Sequence, residues 1–444
     1  MNNFLIEGGT VVDPLNKKVQ PKDLLVVDGK FEDLSKKNTQ TEIVSAKGRY
    51  IIPGLFDLRC HLSQPGVSFQ KSVEEIGRKA ASGGFTSLLA MPELSSKADN
   101  PETLRFTKDS IINEEQVKVY LSGCLTMESA GKKLAPIGTL MEAGIVAVTD
   151  CPQTPQDNQI FSKAIEYAAM FNLPVIELPR DLSLSAEGQA HESLMSLKMG
   201  LKGIPRISEE MFVARSILLS KYSGAKIHLT SISSKGSVEQ IRKAKEEGIC
   251  VTCDVTSNHL FCNEDYIENF NSLAKAEPPF REEADRVELV GAVIDKTIDA
   301  VSTGHKAFSL NEKSKEFDLA PSGTIGLENA FLQVLEIIDS TDEEKLLTAA
   351  ETMSFNPPQI VNLEPTSFEK GKSADFFVLD MKNETTIVRE NEEIGGINLP
   401  FNEKNSKAKS ARHLLMEKFL FQNNLLSDKS TLGSRENLFN NRIS

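Results

Sequence analysis

Arg59, Cys60 and His61 follow an apolar run and precede a Pro-Gly turn in the segment PGLFDLRCHLSQPG, residues 53–66. Residues two apart on a strand share a face, so Arg59 and His61 are expected to point one way and Cys60 the other. A His-x-His pair in this spacing would offer two imidazoles to one zinc ion. Here the first position is a guanidinium, a permanent cation with no acceptor atom. Metal chemistry at this strand is therefore expected to be lost or rebuilt. A second sulfur motif, Cys250-x-x-Cys253, lies in a strand-like run where positions three apart face opposite sides. Both thiols are expected to be buried core groups rather than a zinc knuckle. His228, His259 and His305 fall at or near the ends of strand-like runs and are read as hydrogen-bonding core residues.

The elements that must hold these groups alternate along the chain. Helical spacing at 74–82, 139–143, 209–221, 238–247 and 286–294 is followed by strand-like runs at 86–91, 145–149, 226–230, 249–255 and 299–303. Such alternation predicts a parallel sheet with crossover helices. About 300 residues of it fit a β/α barrel, whose sites lie at the C-terminal strand ends. Short strands at 4–7, 10–12 and 24–27 are broken by Gly8-Gly9, Asp13-Pro14 and Asp28-Gly29, and another strand is expected at 374–380.

The chain has 444 residues, 40% hydrophobic and 25% charged, with a formal net charge of −13. That balance disfavours a nucleic-acid binder working through a global basic surface. No apolar run approaches the roughly 20 residues that cross a bilayer, and the N-terminus lacks the look of a signal peptide. A cytoplasmic location without membrane contact is expected. Six cysteines in 444 residues form no dense framework, in keeping with a reducing compartment. The tail differs: residues 404–444 hold eight Lys/Arg and three Asp/Glu, with helical spacing at 411–426 between Asn- and Ser-rich flanks.

The 53–66 segment resembles the dihydroorotases of the amidohydrolase superfamily. The resemblance continues in order through ASGGFT (81–86), Met91-Pro92, GLKGIP (200–205), Ser237-Val238-Glu239, VTSNHL (255–260), KAEPPFR (275–281), APSG (320–323) and Gly326-Leu327-Glu328. It implies an α/β fold, a (β/α)8 TIM-type barrel with a small β-domain built from both chain ends. The expected division is 1–52 plus 360–390 for the small domain, 53–359 for the barrel and 391–444 for a basic extension.

The family's site carries over poorly. The resemblance places Arg59, Leu178 and Ser231 at lost metal-ligand positions, and leaves His61 and Cys151 as remnants. The catalytic Asp position is Gly304, so no catalytic residue is expected. The family's substrate positions fall on Ser63, Glu93, Glu277, Phe308, Ser322 and Gly323. A guanidinium replaced by the Ser63 hydroxyl and two added carboxylates would disfavour an anionic substrate. Arg59, Glu93 and Glu277 are expected to neutralise one another in the old cavity, or else to hold a different ligand. No cofactor is expected, zinc only if the site is rebuilt.

These substitutions imply a dihydroorotase-like protein of pyrimidine biosynthesis that is catalytically silent and serves as a structural partner of aspartate carbamoyltransferase, in a homo- or hetero-oligomer. Two other readings stay open. One is an amidohydrolase with a rebuilt site acting on a cyclic amide or ureide; the other is a small-molecule sensor using the old pocket.

Overall fold

The computed structural model describes residues 3–112, 117–381 and 396–401. Eight strands form one parallel sheet: β1 (Leu55–Cys60), β2 (Phe85–Ala90), β3 (Lys118–Gly123), β4 (Ala147–Thr149), β5 (Val175–Glu177), β6 (Ile227–Leu229), β7 (Val251–Thr256) and β8 (Ala300–Ser302). Each pairs with the next in chain order. The sheet closes where Cys60 bridges His305 in parallel and the His61 amide donates to the His305 carbonyl at 2.9 Å. The result is an eight-stranded barrel.

Helices follow the strands: α1 (Phe69–Ser82), α2 (Pro101–Ile112), α3 (Ile137–Glu142), α4 (Asn158–Ala169), α5 (Ile207–Ser223), α6 (Lys235–Glu246), α7 (Glu283–Ile294) and α8 (Ala330–Ile337). In α1, Val73, Ile76 and Ala80 are buried, the three-to-four spacing that lays one stripe on the sheet. Asp157 starts α4 by accepting from the Gln159 and Ile160 amides at 2.8 and 3.0 Å, which satisfies donors with no partner inside the helix. Strands covered on the outside by helices and packed on the inside read as unbroken apolar runs. The helices and strands expected from the sequence are present within a few residues, whereas β3 and β5 were not foreseen.

Two four-stranded sheets stand beside the barrel. In one, Leu24–Val27 lies between Lys30–Glu32 and Phe4–Glu7, with Glu42–Ser45 at the edge; in the other, Phe376–Leu379, Tyr50–Pro53, Thr10–Asp13 and Lys18–Pro21 follow in order. The late strand pairs antiparallel with Tyr50–Pro53, so both sides of the barrel segment meet in this β-domain.

Residues 396–401 lie over the barrel's C-terminal end. Leu399 and Phe401 are buried with Phe280, Phe317 and Ile325. Asn398 is fully buried. Its Nδ2 donates to the Lys306 and Gly323 carbonyls at 2.8 and 2.9 Å, and its Oδ1 accepts from the Phe308 amide at 2.9 Å. The helix expected at 411–426 and the rest of the extension from 402 lie outside the described residues, as do 391–395.

Removing Asn398 would leave buried backbone groups unsatisfied, at about 1–3 kcal/mol for each uncompensated one. Asn398→Ala is expected to lower unfolding free energy by about 2–4 kcal/mol, read as a lower urea midpoint with an unchanged slope. An unchanged midpoint would mean that this segment does not hold the loops.

Candidate functional site

The register of β1 slips between Asp57 and Cys60. Phe56 and Leu58 therefore belong to the apolar floor inside the barrel, while Cys60 joins the layer between sheet and helices. Arg59 and His61 face the interior, at 3% and 1% exposure. The opposed orientation of Cys60 and its two neighbours holds, and the slip is what allows it.

Arg59 reaches across the barrel. Its Nη1 donates to Ser231 Oγ at 2.5 Å and to the Glu277 carbonyl at 3.3 Å. Ser231 has a left-handed φ of 59°, and its amide donates to Asp254 Oδ1 at 2.9 Å. Asp254 also accepts from Ser302 Oγ at 2.8 Å and lies 2.9 Å from His228 Nε2. The other His228 nitrogen meets Thr252 Oγ1 at 2.9 Å.

The two carboxylates expected to neutralise Arg59 are engaged elsewhere. Glu277 Oε1 accepts from Arg180 Nη1 at 2.5 Å. Glu93 Oε1 accepts from Lys97 Nζ at 2.9 Å, and its Oε2 lies 3.5 Å from His61 Nδ1 and 3.9 Å from Lys306 Nζ. Burial would raise the Glu93 pKa, but His61, Lys306 and Lys97 together hold it well below the usual carboxylate range. Arg59 thus hydrogen-bonds the main chain of Glu277, while the Cys151, Glu277 and Asp254 charges favour its charged form from farther away; Glu93 is the member missing from the expected three-way neutralisation. Arg180, Lys97 and Lys306 carry no motif signal in the sequence, because their roles depend on which loops the barrel brings together.

The other expected positions divide. Gly304 lies beside Arg59 and Thr256: a Cβ built there would stand 2.9 Å from the Thr256 methyl and 3.9 Å from Arg59 Nη1. Phe308 is buried, with Lys306 and Lys313 over its ring at 6.0 and 5.3 Å. Gly323 donates its amide to the Lys275 carbonyl at 2.8 Å, and half-buried Ser322 precedes it. Ser63 is tied down by its bond to the Leu94 carbonyl at 2.6 Å. Leu178 belongs to the apolar floor together with Cys151, and the Cys151 thiol lies beside Arg59. Asp150 accepts from the Leu125 and Thr126 amides at 3.0 and 2.9 Å, and burial pushes its pKa up to about 6. Cys253 is buried but Cys250 is exposed, so only one thiol of that pair is a core residue.

The remaining space is small. A cavity bounded by Arg59, Thr256, His259, Glu277, Lys306 and Thr324 has a volume of about 10 Å³, room for about one water molecule. His259 closes one wall, with Nδ1 at 2.7 Å from Thr256 Oγ1 and Nε2 at 3.0 Å from the Pro278 carbonyl. Burial lowers His61 to about 4 and both His259 and His305 to about 3, so these imidazoles are neutral at neutral pH. His228 and His259 are hydrogen-bonding core residues, as expected. His305 accepts only a long contact from the Gly326 amide at 3.5 Å, and its Nε2 is buried without a partner.

With this geometry in place, comparison with known proteins becomes informative. A dihydro-orotase-like family model matches residues 48–237. The dihydroorotase of Pelotomaculum thermopropionicum is 36% identical over 379 residues, covering 85% of this chain and 88% of that protein. That of Geotalea daltonii is 35% identical over 405 residues, covering 90% and 94%. The chain belongs to the dihydroorotase family. Among solved structures, an L-hydantoinase from Arthrobacter aurescens matches with a TM-score of 0.79 at 19% identity, covering 90% of this chain and 92% of that one. This supports the amidohydrolase barrel.

Amidohydrolases are generally metal-dependent, but the barrel mouth of this family member does not fit a metal centre. Among the described residues, no three His, Cys, Asp or Glu at the mouth bring ligand atoms within 4.8 Å of one another, and a catalytic zinc takes three protein ligands. Burial also pushes the Cys151 thiol up, despite Arg59 nearby, so the thiolate a metal needs is disfavoured. Elsewhere among the described residues, His191, Glu282 and Asp285 bring ligand atoms within 4.8 Å of one another. Arg206 already bonds both carboxylates. Arg281 Nη1 donates to His191 Nδ1 at 3.0 Å. A guanidinium can only donate, so in the neutral ring the proton sits on Nε2 and no lone pair faces a metal.

Asp57 supplies a pH-dependent test. Burial raises its pKa to about 7, although Thr303 and the Arg59 amide pull it down. Since the folded value lies above the ordinary carboxylate value, its contribution is fully present below about pH 4 and lost as pH rises through about 7. The stability difference between wild type and Asp57→Asn is expected to shift in the variant's favour by on the order of 4 kcal/mol between pH 4 and pH 8. Parallel stability–pH curves would show that Asp57 titrates normally.

Proposed function

We propose that this dihydroorotase-like protein of pyrimidine biosynthesis is catalytically silent and acts as a structural partner of aspartate carbamoyltransferase. The observation carrying the first half is the Arg59 guanidinium buried across the barrel mouth. A divalent ion about 4 Å from it would be repelled by about 8 kcal/mol at an effective dielectric constant of about 20. Apparent zinc affinities of about 10–16 kcal/mol come from complete ligand sets, and two donors do not approach that. Family hydrolysis would also need a carboxylate at position 304 to move a proton, and glycine has none. A rebuilt acid–base pair would have to come from His61 and Glu93, and Glu93 is tied up with Lys97 and Lys306. A cavity of about 10 Å³ has no room for a cyclic amide, which also counts against a sensor of such molecules.

Support for the second half lies on the outside. Ile207, Met211, Leu218 and Tyr222 of α5 are 48–80% exposed. Their spacing of four, seven and four puts them along one side of the helix. A stripe of large apolar side chains marks a protein contact better than scattered ones do. Assembly with a transferase would use this outer surface and leave the pocket idle.

Protein purified without chelators from zinc-supplemented cells is expected to hold well below one metal per chain and to show no dihydroorotate turnover. Arg59→His, which restores the His-x-His pair, should still show no dihydroorotate turnover, because position 304 remains without a carboxylate to move a proton. One or two tightly held metals with turnover would reverse this half of the proposal.

Aspartate carbamoyltransferase is expected to co-purify with the wild-type chain, and Leu218→Asp should weaken that association at least tenfold, since a charge in the centre of an apolar contact costs more than about 1.4 kcal/mol. A fully active transferase that never associates would sink the partnership.

A further inference from the structure

Large apolar side chains stand exposed around Pro400 and Phe401. Phe270, Leu310 and Leu319 are 52%, 51% and 67% exposed. Hydrogen bonds draw their loops together. Asn271 Nδ2 donates to the Pro400 carbonyl at 3.3 Å, Lys313 Nζ to the Ser272 carbonyl at 3.1 Å, and Lys275 Nζ to the Asp318 carbonyl at 3.1 Å. The loops after β7 and β8 therefore meet the 396–401 segment at one place. Phe270, Leu310 and Leu319 each lie within one helical turn, in sequence, of a residue that makes these ties. Leu194 and Leu197, 64% and 76% exposed, extend the surface from the short helix Leu194–Met199, whose Met195 and Met199 pack on the cluster that holds Phe401. Exposed Glu268, Glu316 and Asp318 outweigh Lys315 around it. A joined set of exposed apolar groups rimmed by charge is the mark of a docking surface.

The chain itself supplies a fitting occupant. Phe401 is buried, with its ring 5.0 Å from that of Phe261, so residue 402 starts beside this surface. Residues 411–426 carry Leu415, Phe419 and Leu426, four and seven apart, which share one face on helical spacing. The nine residues 402–410 include Lys404, Lys407 and Lys409, opposite in sign to the acids of the surface. From Phe401 to residue 411 the chain can reach at most about 35 Å, enough to bring that apolar face back over the mouth. A tether so short gives an effective concentration in the millimolar range, so a contact of modest intrinsic strength suffices.

We propose that residues 411–426 dock on the surface of Phe270, Leu310, Leu319, Leu194 and Leu197, so that the chain's own extension covers its barrel mouth. This rests on neither the silent pocket nor the transferase partnership, since it uses the mouth and not the α5 stripe.

The test uses the full chain with a photo-cross-linking residue, Phe419→benzoylphenylalanine, at micromolar concentration. Cross-links mapped by mass spectrometry are expected within one chain, to residues 194–199, 264–274 or 310–319. Leu319→Asp, at an exposed position, should abolish them and speed tryptic cleavage after Arg412 and Lys418 at least tenfold, as a charge at the centre of an apolar contact does to binding. Phe419→Asp, placed in the extension and not in the barrel, should give the same acceleration. Cross-links confined to other surfaces overturn the proposal, as do links that join two chains, which would make a second copy the occupant. Equal cleavage rates in the wild type and both Asp variants overturn it too.

Discussion

Asp57 clamps the first barrel strand to the last. Its carboxylate accepts from the Thr303 amide at 2.8 Å and from Thr303 Oγ1 at 2.5 Å, beside a longer contact from the Arg59 amide at 3.4 Å. It is fully buried, so those bonds form where solvent cannot compete and losing one would leave a stranded acceptor. The clamp lies within the register slip of β1. Without the slip, strict alternation would turn Arg59 toward the helices and Cys60 into the barrel. Closure of the sheet and the inward aim of Arg59 thus come from one local arrangement.

A guanidinium in that position constrains everything around it. It cannot lose its proton, so neighbours must tolerate a fixed charge in a small, poorly solvated space. The two nearby carboxylates have found other cations on other loops. Glu277 and Arg180 link the loops after β7 and β5; Glu93, Lys97 and Lys306 link those after β2 and β8. A second layer of cations ties these loops together. Lys313 Nζ donates to the Pro321 and Gly323 carbonyls at 2.8 and 2.9 Å and to the Ser272 carbonyl at 3.1 Å. Burial, with Lys275 and Lys306 close by, lowers its pKa to about 7. Asn398 bonds to Lys306, Phe308 and Gly323 from the outside. The mouth is held shut by these polar contacts together with the apolar cluster of Leu399, Phe401, Phe280, Phe317 and Ile325.

The barrel was legible because its strands and helices advertise different periods, and ten of those segments stood out as alternating runs. β3 was missed because KVYLSG carries a lysine, a tyrosine and a glycine and follows no clear helix signal. β5 was missed because only three residues, VIE, make the strand, and its one charge, Glu177, pairs with Arg215 inside the protein. Arg59 and Ser231, which lie on and two residues past barrel strands, could be singled out by the family resemblance. Their actual partners could not. Arg180, Lys97, Lys306 and Asn398 are loop residues between 38 and 339 positions from Arg59 in the chain, and nothing local marks them as neighbours. The expected pairing of Arg59 with Glu93 and Glu277 holds only in part, since Glu277 acts on Arg59 without a direct contact and Glu93 faces Lys97 and Lys306: charge type is visible in sequence, but competition among cations is not.

The separation of layers explains how such a site can change while the fold persists. The apolar material that stabilises the barrel lies between sheet and helices and in the floor below the mouth. Leu178 and Cys151 both belong to the floor, which brings apolar packing up to the polar mouth. Burying a leucine side chain contributes about 1.5–3 kcal/mol, whereas an imidazole left there without a metal would need a new partner. His61 and His305 show that cost directly, since both retain buried ring nitrogens with no hydrogen bond. On the reading of a silent hydrolase, conversion to a packed mouth is therefore incomplete: a fixed charge stands at Arg59, and His61 and His305 make only long contacts, at 3.5 Å to Glu93 and to the Gly326 amide. Further substitution would then be expected to fill the mouth, because each unsatisfied group is a standing cost that no chemistry repays.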